Sequence, residues 1–215
     1  MNTVIIVGII IIVWLILVWL TWWWYSSKVE RPADSILFDD DKIQIRRTLP
    51  SIYASVTVPW PSTTAPSRAF GILAWFIFGK NQTQESIAMT SPVLSQPQST
   101  KIAMTAPVIS VTTQDDSSDV SFIMPSQYTI DTLPIPQDDR IRILSVPSKI
   151  IASIKFDGYV NNSERVKSYQ NKLIDALYEL NITMIGDPMI AQYNDPYTPW
   201  FMRTNEIWIE VDYKA

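Results

Sequence analysis

Ile87-Ala88-Met89-Thr90-Ser91-Pro92-Val93 is followed, after a polar spacer, by Ile102-Ala103-Met104-Thr105-Ala106-Pro107-Val108. Seven residues recur fifteen positions later, with Ala106 in place of Ser91. Solenoid units run to about twenty residues or more, so this repeat is too short for one. Two extended segments fit better. Each block is apolar and closes on a proline, Pro92 or Pro107. Proline lacks a ladder donor and belongs at a strand end, an edge or a bulge. The spacer Leu94-Ser95-Gln96-Pro97-Gln98-Ser99-Thr100 has turn chemistry. Folded back on each other, the blocks would bring Met89 and Met104 together as one soft, adaptable wall.

Outward from this stretch the pattern alternates between periods of two and of three to four. Ile36 to Phe38, Lys42 to Arg47 and Ile52 to Val58 read as strands, the first two around the acidic turn Asp39-Asp40-Asp41. Ser67 to Phe78 reads as a helix on the spacing of Phe70, Leu73, Ala74, Ile77 and Phe78, stopped by Gly79. Val120 to Met124, Ile141 to Val146 and Lys149 to Phe156 are further strands. Asn162 to Leu180 is a second helix with the stripe Val166, Tyr169, Leu173, Ala176, Leu177 and Leu180. Met189 to Tyr193 and Asn205 to Asp212 complete the strands, with Ile207, Ile209 and Val211 on one face and Trp208 on the other. The order predicts an α+β domain whose antiparallel sheet is curved or closed.

Val4 to Trp24 is almost wholly apolar and uncharged. About 20 residues cross a hydrocarbon core of roughly 30 Å. Trp19, Trp22, Trp23, Trp24 and Tyr25 gather at its far end, where aromatic rings settle at the headgroups. A cleaved signal peptide is the alternative, but the run is long for one and lacks a basic start and a small-residue cleavage site. The expectation is a transmembrane anchor over 1–25, a linker over 26–35 and a single domain over 36–215. Lys28 and Arg31 follow the apolar run, so the positive-inside rule puts that domain in the cytoplasm. The ~185 residues beyond the run suffice for one domain burying roughly 70% of its unfolded surface.

Composition removes whole classes of chemistry. The chain has no His and no Cys, which excludes imidazole bases, thiol nucleophiles, disulfides and His-dependent triads. Formal net charge is -4, which disfavours a nucleic-acid partner. Five glycines form no phosphate loop. Asp39, Asp40 and Asp41, or Asp115 and Asp116, could hold a metal, but an acidic turn accounts for each. Asn81-Gln82-Thr83, Asn161-Asn162-Ser163 and Asn181-Ile182-Thr183 match glycosylation acceptors, relevant only in a lumen.

The doubled block, Ser121-Phe122-Ile123-Met124-Pro125-Ser126-Gln127-Tyr128-Thr129, and Thr132-Leu133-Pro134 before Pro136 resemble the SOUL heme-binding protein family. So do Phe78-Gly79, Phe156 with Gly158, Tyr193-Asn194 with Pro196, Pro199 with Phe201, and Arg203 with Asn205-Glu206-Ile207-Trp208-Ile209-Glu210-Val211. The matches run in order from about Phe38 to Val211; the apolar N-terminus lies outside them. The resemblance implies a distorted antiparallel β-barrel of about eight strands with two helices and internal pseudo-symmetry. It also implies that heme or another tetrapyrrole binds non-covalently in an apolar cleft, without turnover.

Such a site would have Phe70, Leu73, Phe76, Met89 and Met104 as walls. Arg46, Arg47, Lys80 and Lys101 would face the propionates. His and Cys are absent, so the porphyrin would be held mainly by apolar contact, or by Met104 or Tyr193 as an axial ligand. More distantly, the domain resembles the effector-binding domains of multidrug-sensing regulators, where a buried Glu sits among aromatic rings. Glu206, beside Tyr193, Tyr197 and Trp200, would take that place. There it could act as a base of raised pKa in a small hydrolase, with a Tyr as acid, or simply pair with Arg203. A partner-binding module without a small ligand is the third reading. In sealed vesicles, added protease should cleave the domain only where the cytoplasmic face is outward; cleavage from the opposite face would reverse the predicted orientation.

Overall fold

A computed structural model describes residues 3–26, 30, 34–59, 65–83, 100–112, 117–161, 163–194 and 198–214. Two units are distinct, Met1–Glu30 and Arg31–Ala215. The first contains α1 (Thr3–Ser26), 24 residues with no acid in its first turn and no base in its last. Its described side chains are those of residues 5–14, 16–19 and 21. Among described residues, no helix is long and apolar enough to cross a membrane.

The second unit follows the alternating patterns. Its strands are β1 (Asp34–Asp39), β2 (Gln44–Thr48), β3 (Ser51–Pro59), β4 (Asn81–Gln82), β5 (Val108–Thr112) and β6 (Ser117–Ile123). Then come β7 (Ile135–Pro136), β8 (Arg142–Val146), β9 (Ile150–Asp157), β10 (Thr183–Met184), β11 (Met189–Gln192) and β12 (Thr204–Asp212). Helix α2 (Ala65–Ile77) follows β3, α3 (Ser163–Glu179) follows β9, and a 3-10 turn, Trp200–Met202, precedes β12. Gly79 at φ 121 ends α2, where a side chain would be strained, and Lys80 N–H closes back on Trp75 O at 2.9 Å.

The main sheet is antiparallel in the order β1-β2-β9-β12-β11-β5-β6-β3-β8, with β10 also on β12; β4 and β7 pair separately. Strands β1 and β8 stand at its two ends, so the predicted barrel is a curled half-barrel. The order is symmetric about the β5–β11 pair. One half runs β2-β3-α2-β5-β6 and the other β8-β9-α3-β11-β12. The first strand of each is exchanged: β2 pairs with β9, and β8 with β3.

Side chains alternate across a strand, so each strand serves two layers. On one face α2 packs Leu73, Phe76 and Ile77 against Ala54, Val56 and Phe122. On the same face of the other half, α3 packs Val166, Leu173 and Leu177 against Ile154, Ile207 and Ile209. Ile109, Ile123, Ile151, Ala191 and Trp208 form a smaller cluster on the opposite face. The second copy of the doubled block is only partly strand. Ile102 is buried, Thr105 donates its hydroxyl to Ile123 O, and Val108 opens β5. The first copy, with Met89, lies outside the described residues.

Asn81 is also buried. Its amide donates to Phe76 O at 2.8 Å and Thr100 O at 2.7 Å, and its carbonyl accepts from Thr100 N–H at 2.9 Å. That triplet is therefore closed to glycosylation. The acidic turn likewise has local work, for Asp40 Oδ1 accepts from Lys42 N–H at 2.8 Å and Ile43 N–H at 2.7 Å. Those two amides hold the Asp40 carboxyl below its usual range.

Adjacent α2 aromatics have opposite fates: Phe76 is 1% exposed and Trp75 60%. Phe76→Ala should cost about 3–5 kcal/mol in urea unfolding, and Trp75→Ala less than about 1 kcal/mol. Equal losses would contradict this packing.

Candidate functional site

The face of the sheet opposite α2 and α3 carries a cavity of about 460 Å³. Its floor comes from alternation. In β12, Ile207 and Ile209 turn to α3, which leaves Glu206 and Trp208 on the other side. In β2, Ile45 turns to α3 and Arg46 to the cavity; in β3, Ala54 turns to α2 and Tyr53 to the cavity. Lys155 and Asp157 of β9, Asp34 of β1, Pro107, Ile123 and Tyr193 complete the wall with Thr48, Ser51 and Thr204.

A buried ion pair organises this floor. Glu206 is 2% exposed and Arg46 6%. Glu206 Oε2 receives three donors: Arg46 Nη2, Tyr193 OH at 2.8 Å and Trp208 Nε1 at 2.7 Å. Arg46 Nη2 also reaches Tyr193 OH at 3.1 Å, and Nη1 reaches Gln44 Oε1 at 3.2 Å. Its Nε lies 3.0 Å from Asp34 Oδ2, yet it has no hydrogen-bond partner. That contact is an ion pair whose N–H points off line. The guanidinium lies 5.1 Å from the centroid of the Trp208 ring. Strands β2 and β12 flank β9, and on this face Ser153 sits between the two charges, opposite Gln44 and Trp208. A small side chain there leaves room for Arg46 to cross.

These contacts set the charge states. Burial pushes the Glu206 carboxyl up, but the Arg46 hydrogen bond and charge, with Trp208 and Tyr193, outweigh it and leave the pKa lowered. Glu206 is thus held as a carboxylate, opposite to the raised base considered from sequence. Burial, helped by the Glu206 charge, drives the Tyr193 phenol far above its ordinary value. Burial, with Asp34 nearby, pushes Tyr53 up to about 12. Asp34 is raised by burial against the opposing pull of Arg46, with Glu206 adding to the rise.

The residues singled out from sequence separate into two groups. Arg46, Tyr193 and Glu206 meet in this cavity. Leu73 and Phe76 fill the core under α2, where Phe70 packs edge-on to Phe122 at 5.2 Å, and Met104 rests against the same cluster. A helix lying on a sheet must bury its apolar stripe, and this stripe is covered by the sheet. Arg47 and Lys101 are exposed and outside the cavity wall. Lys80 sits over Trp75, 4.8 Å from the ring centroid. Met89 and Tyr197 lie outside the described residues. Glu206 pairs with Arg46 rather than Arg203, which stands over the Tyr159 ring and donates to Thr198 O at 2.8 Å. Sequence reasoning missed Tyr53, Trp208 and Asp34. Period-two alternation from Glu206 would have found Trp208.

Replacing Arg46 leaves a buried carboxylate without its cation. Arg46→Met should lose about 3–5 kcal/mol near pH 7 by urea unfolding. In the parent, the Glu206 contribution is full above its ordinary value of 4.5 and is lost as pH falls through the lowered folded value. The gap between parent and variant should therefore narrow as pH falls below 4.5, and a constant gap would contradict the pairing.

The SOUL heme-binding protein family matches residues 29–210. No curated protein matches the chain by sequence. Among solved structures, the C-terminal domain of EcmrR is similar at 10% identity and TM-score 0.55, over 80% of this chain and 97% of that one. EcmrR in a complex with DNA is similar at 10% identity and TM-score 0.53, over 80% of this chain and 57% of that one. A hydrolase from Listeria innocua is similar at 7% identity and TM-score 0.51, over 82% of this chain and 94% of that one. At such identities the likeness is one of fold alone. With 182 consecutive residues matched, this chain belongs to the SOUL heme-binding protein family.

Proposed function

We propose that this chain is a membrane-anchored protein that binds heme or another tetrapyrrole in the cavity on the sheet face opposite α2 and α3, without His or Cys ligation and without turnover. The observation that carries the reading is the cavity itself. Its volume, about 460 Å³, is within the range of small-molecule sites. The Tyr53, Tyr193 and Trp208 rings offer flat surface to a planar guest. Lys155 at its rim can meet a propionate, while Arg46 is committed to Glu206 and Asp34. A bound tetrapyrrole would supply light absorption and, with iron, redox chemistry; these side chains hold its frame.

The charge states support the reading without turnover. A general base needs a pKa near the working pH, and three donors keep Glu206 below its ordinary value. Tyr193 is pushed the wrong way for an acid at neutral pH. Anchoring rests on the sequence alone, the uncharged apolar run Val4 to Trp24 with Trp22, Trp23, Trp24 and Tyr25 at its end, since among the described residues no helix is long and apolar enough to cross. Lys28 and Arg31 beyond it would hold the domain on the cytoplasmic side.

Full-length chain in detergent micelles, titrated with hemin and with free-base protoporphyrin, should show saturable tryptophan quenching with at least one of them. Tyr53→Ala should weaken the tighter probe by about tenfold, roughly 1.4 kcal/mol. Trp75→Ala, on the exposed side of α2, should change nothing. Absence of saturation with both probes, or the reverse pattern of the two variants, would sink the assignment.

A further inference from the structure

The tetrapyrrole reading leaves one oxygen of the cavity floor unused. All three donors to Glu206 converge on Oε2. Among the described residues, Oε1 receives none. Nor is Oε1 sealed away, since the one buried side-chain atom without a hydrogen bond among the described residues is Arg46 Nε. Glu206 therefore turns an open acceptor toward the cavity while its charge is maintained by Arg46. A desolvated carboxylate oxygen of this kind is best completed by an N–H donor, in a charge-assisted bond stronger than a neutral one.

Among the described residues, the same cavity offers iron no ligand. Heme iron is held by His, Cys, Met or a tyrosine phenolate. The chain has no His or Cys, and among the described residues no Met lines the cavity. Tyr53 and Tyr193, the tyrosines of the described lining, are held as phenols, and Tyr193 OH is spent on Glu206. Iron insertion also removes the inner pyrrole N–H protons, which are the groups that Oε1 could bind.

Resting on the tetrapyrrole reading, we infer that the cavity selects metal-free tetrapyrroles over their iron complexes, with Glu206 Oε1 accepting a hydrogen bond from a pyrrole N–H. Cyclic free bases and open-chain tetrapyrroles share that donor. In the cyclic form the N–H lies at the ring centre, so the ring must lie over Glu206. In the open-chain form it can be met edge-on.

The test compares four probes on the full-length chain in micelles by tryptophan quenching. They are free-base protoporphyrin, its four-coordinate nickel complex, hemin, and biliverdin. Nickel protoporphyrin keeps the outline and the propionates but lacks the N–H. Free-base protoporphyrin, biliverdin or both should bind at least about tenfold tighter than the nickel complex and hemin. Which of the two is tighter separates the cyclic source from the open-chain one. In Glu206→Gln the preference should fall to about one. Should that variant fail to fold, the ratios in the parent still decide. Equal affinities, or hemin tightest, overturn this inference and leave the binding assignment standing. A preference that persists in folded Glu206→Gln overturns the role of Oε1. No saturable binding by any probe overturns the assignment on which the inference rests.

Discussion

The contact on which the site depends is the buried pair of Arg46 and Glu206. Taking two charges out of water costs several kcal/mol for each, and attraction offsets this only when the geometry is good and the remaining polar atoms are satisfied. Here the surroundings meet most of that demand. Trp208 and Tyr193 donate to the carboxylate, Gln44 accepts from the guanidinium, and Asp34 adds a second negative charge beside it. What is left over is small and local: Arg46 Nε, paired off line, and Glu206 Oε1, open to the cavity. A polar floor this nearly complete keeps its shape, and its remaining freedom is directed at whatever enters the cavity.

The pair exists because of how the two halves share strands. Arg46 and Glu206 are 160 residues apart. Arg46 belongs to the first half by sequence, but β2 lies on the second half, next to β9. Had β2 stayed beside β3, Arg46 would face its own half and Glu206 would be buried without a cation. The exchange of β2 and β8 thus knits the halves into one sheet and also builds the floor. The β5–β11 pair forms the seam between them, with Ile109 and Ala191 beneath the cavity side.

The two faces divide the labour. Helices α2 and α3 cover one side, where Leu73, Phe76, Leu173, Leu177, Ile207 and Ile209 are almost wholly excluded from water. Each such side chain contributes about 1.5–3 kcal/mol of burial. The opposite face can then hold charged residues without losing the fold. This explains why the aromatic helix α2, conspicuous in the sequence, supplies core rather than walls. Its Phe76 and Leu73 belong to the stripe that any helix on a sheet must bury.

Local patterns carried a large part of this protein. Alternation located the long strands to within a few residues, and the stripe Val166, Leu173, Leu177 located α3, because side-chain direction follows backbone period directly. The ordered motifs identified the family, and the absence of His and Cys bounded its chemistry before any coordinates. Tyr193 and Glu206 could be named because the resemblance to effector-binding domains asks for a carboxylate among aromatic rings, and the C-terminal motifs hold both. The tertiary structure decided the rest: that Arg46 and not Arg203 meets Glu206, that Tyr53 and Trp208 face the same cavity, and that the sheet stays open. Those outcomes rest on pairing between strands far apart in sequence and on a cost of desolvation that only a complete neighbourhood can offset.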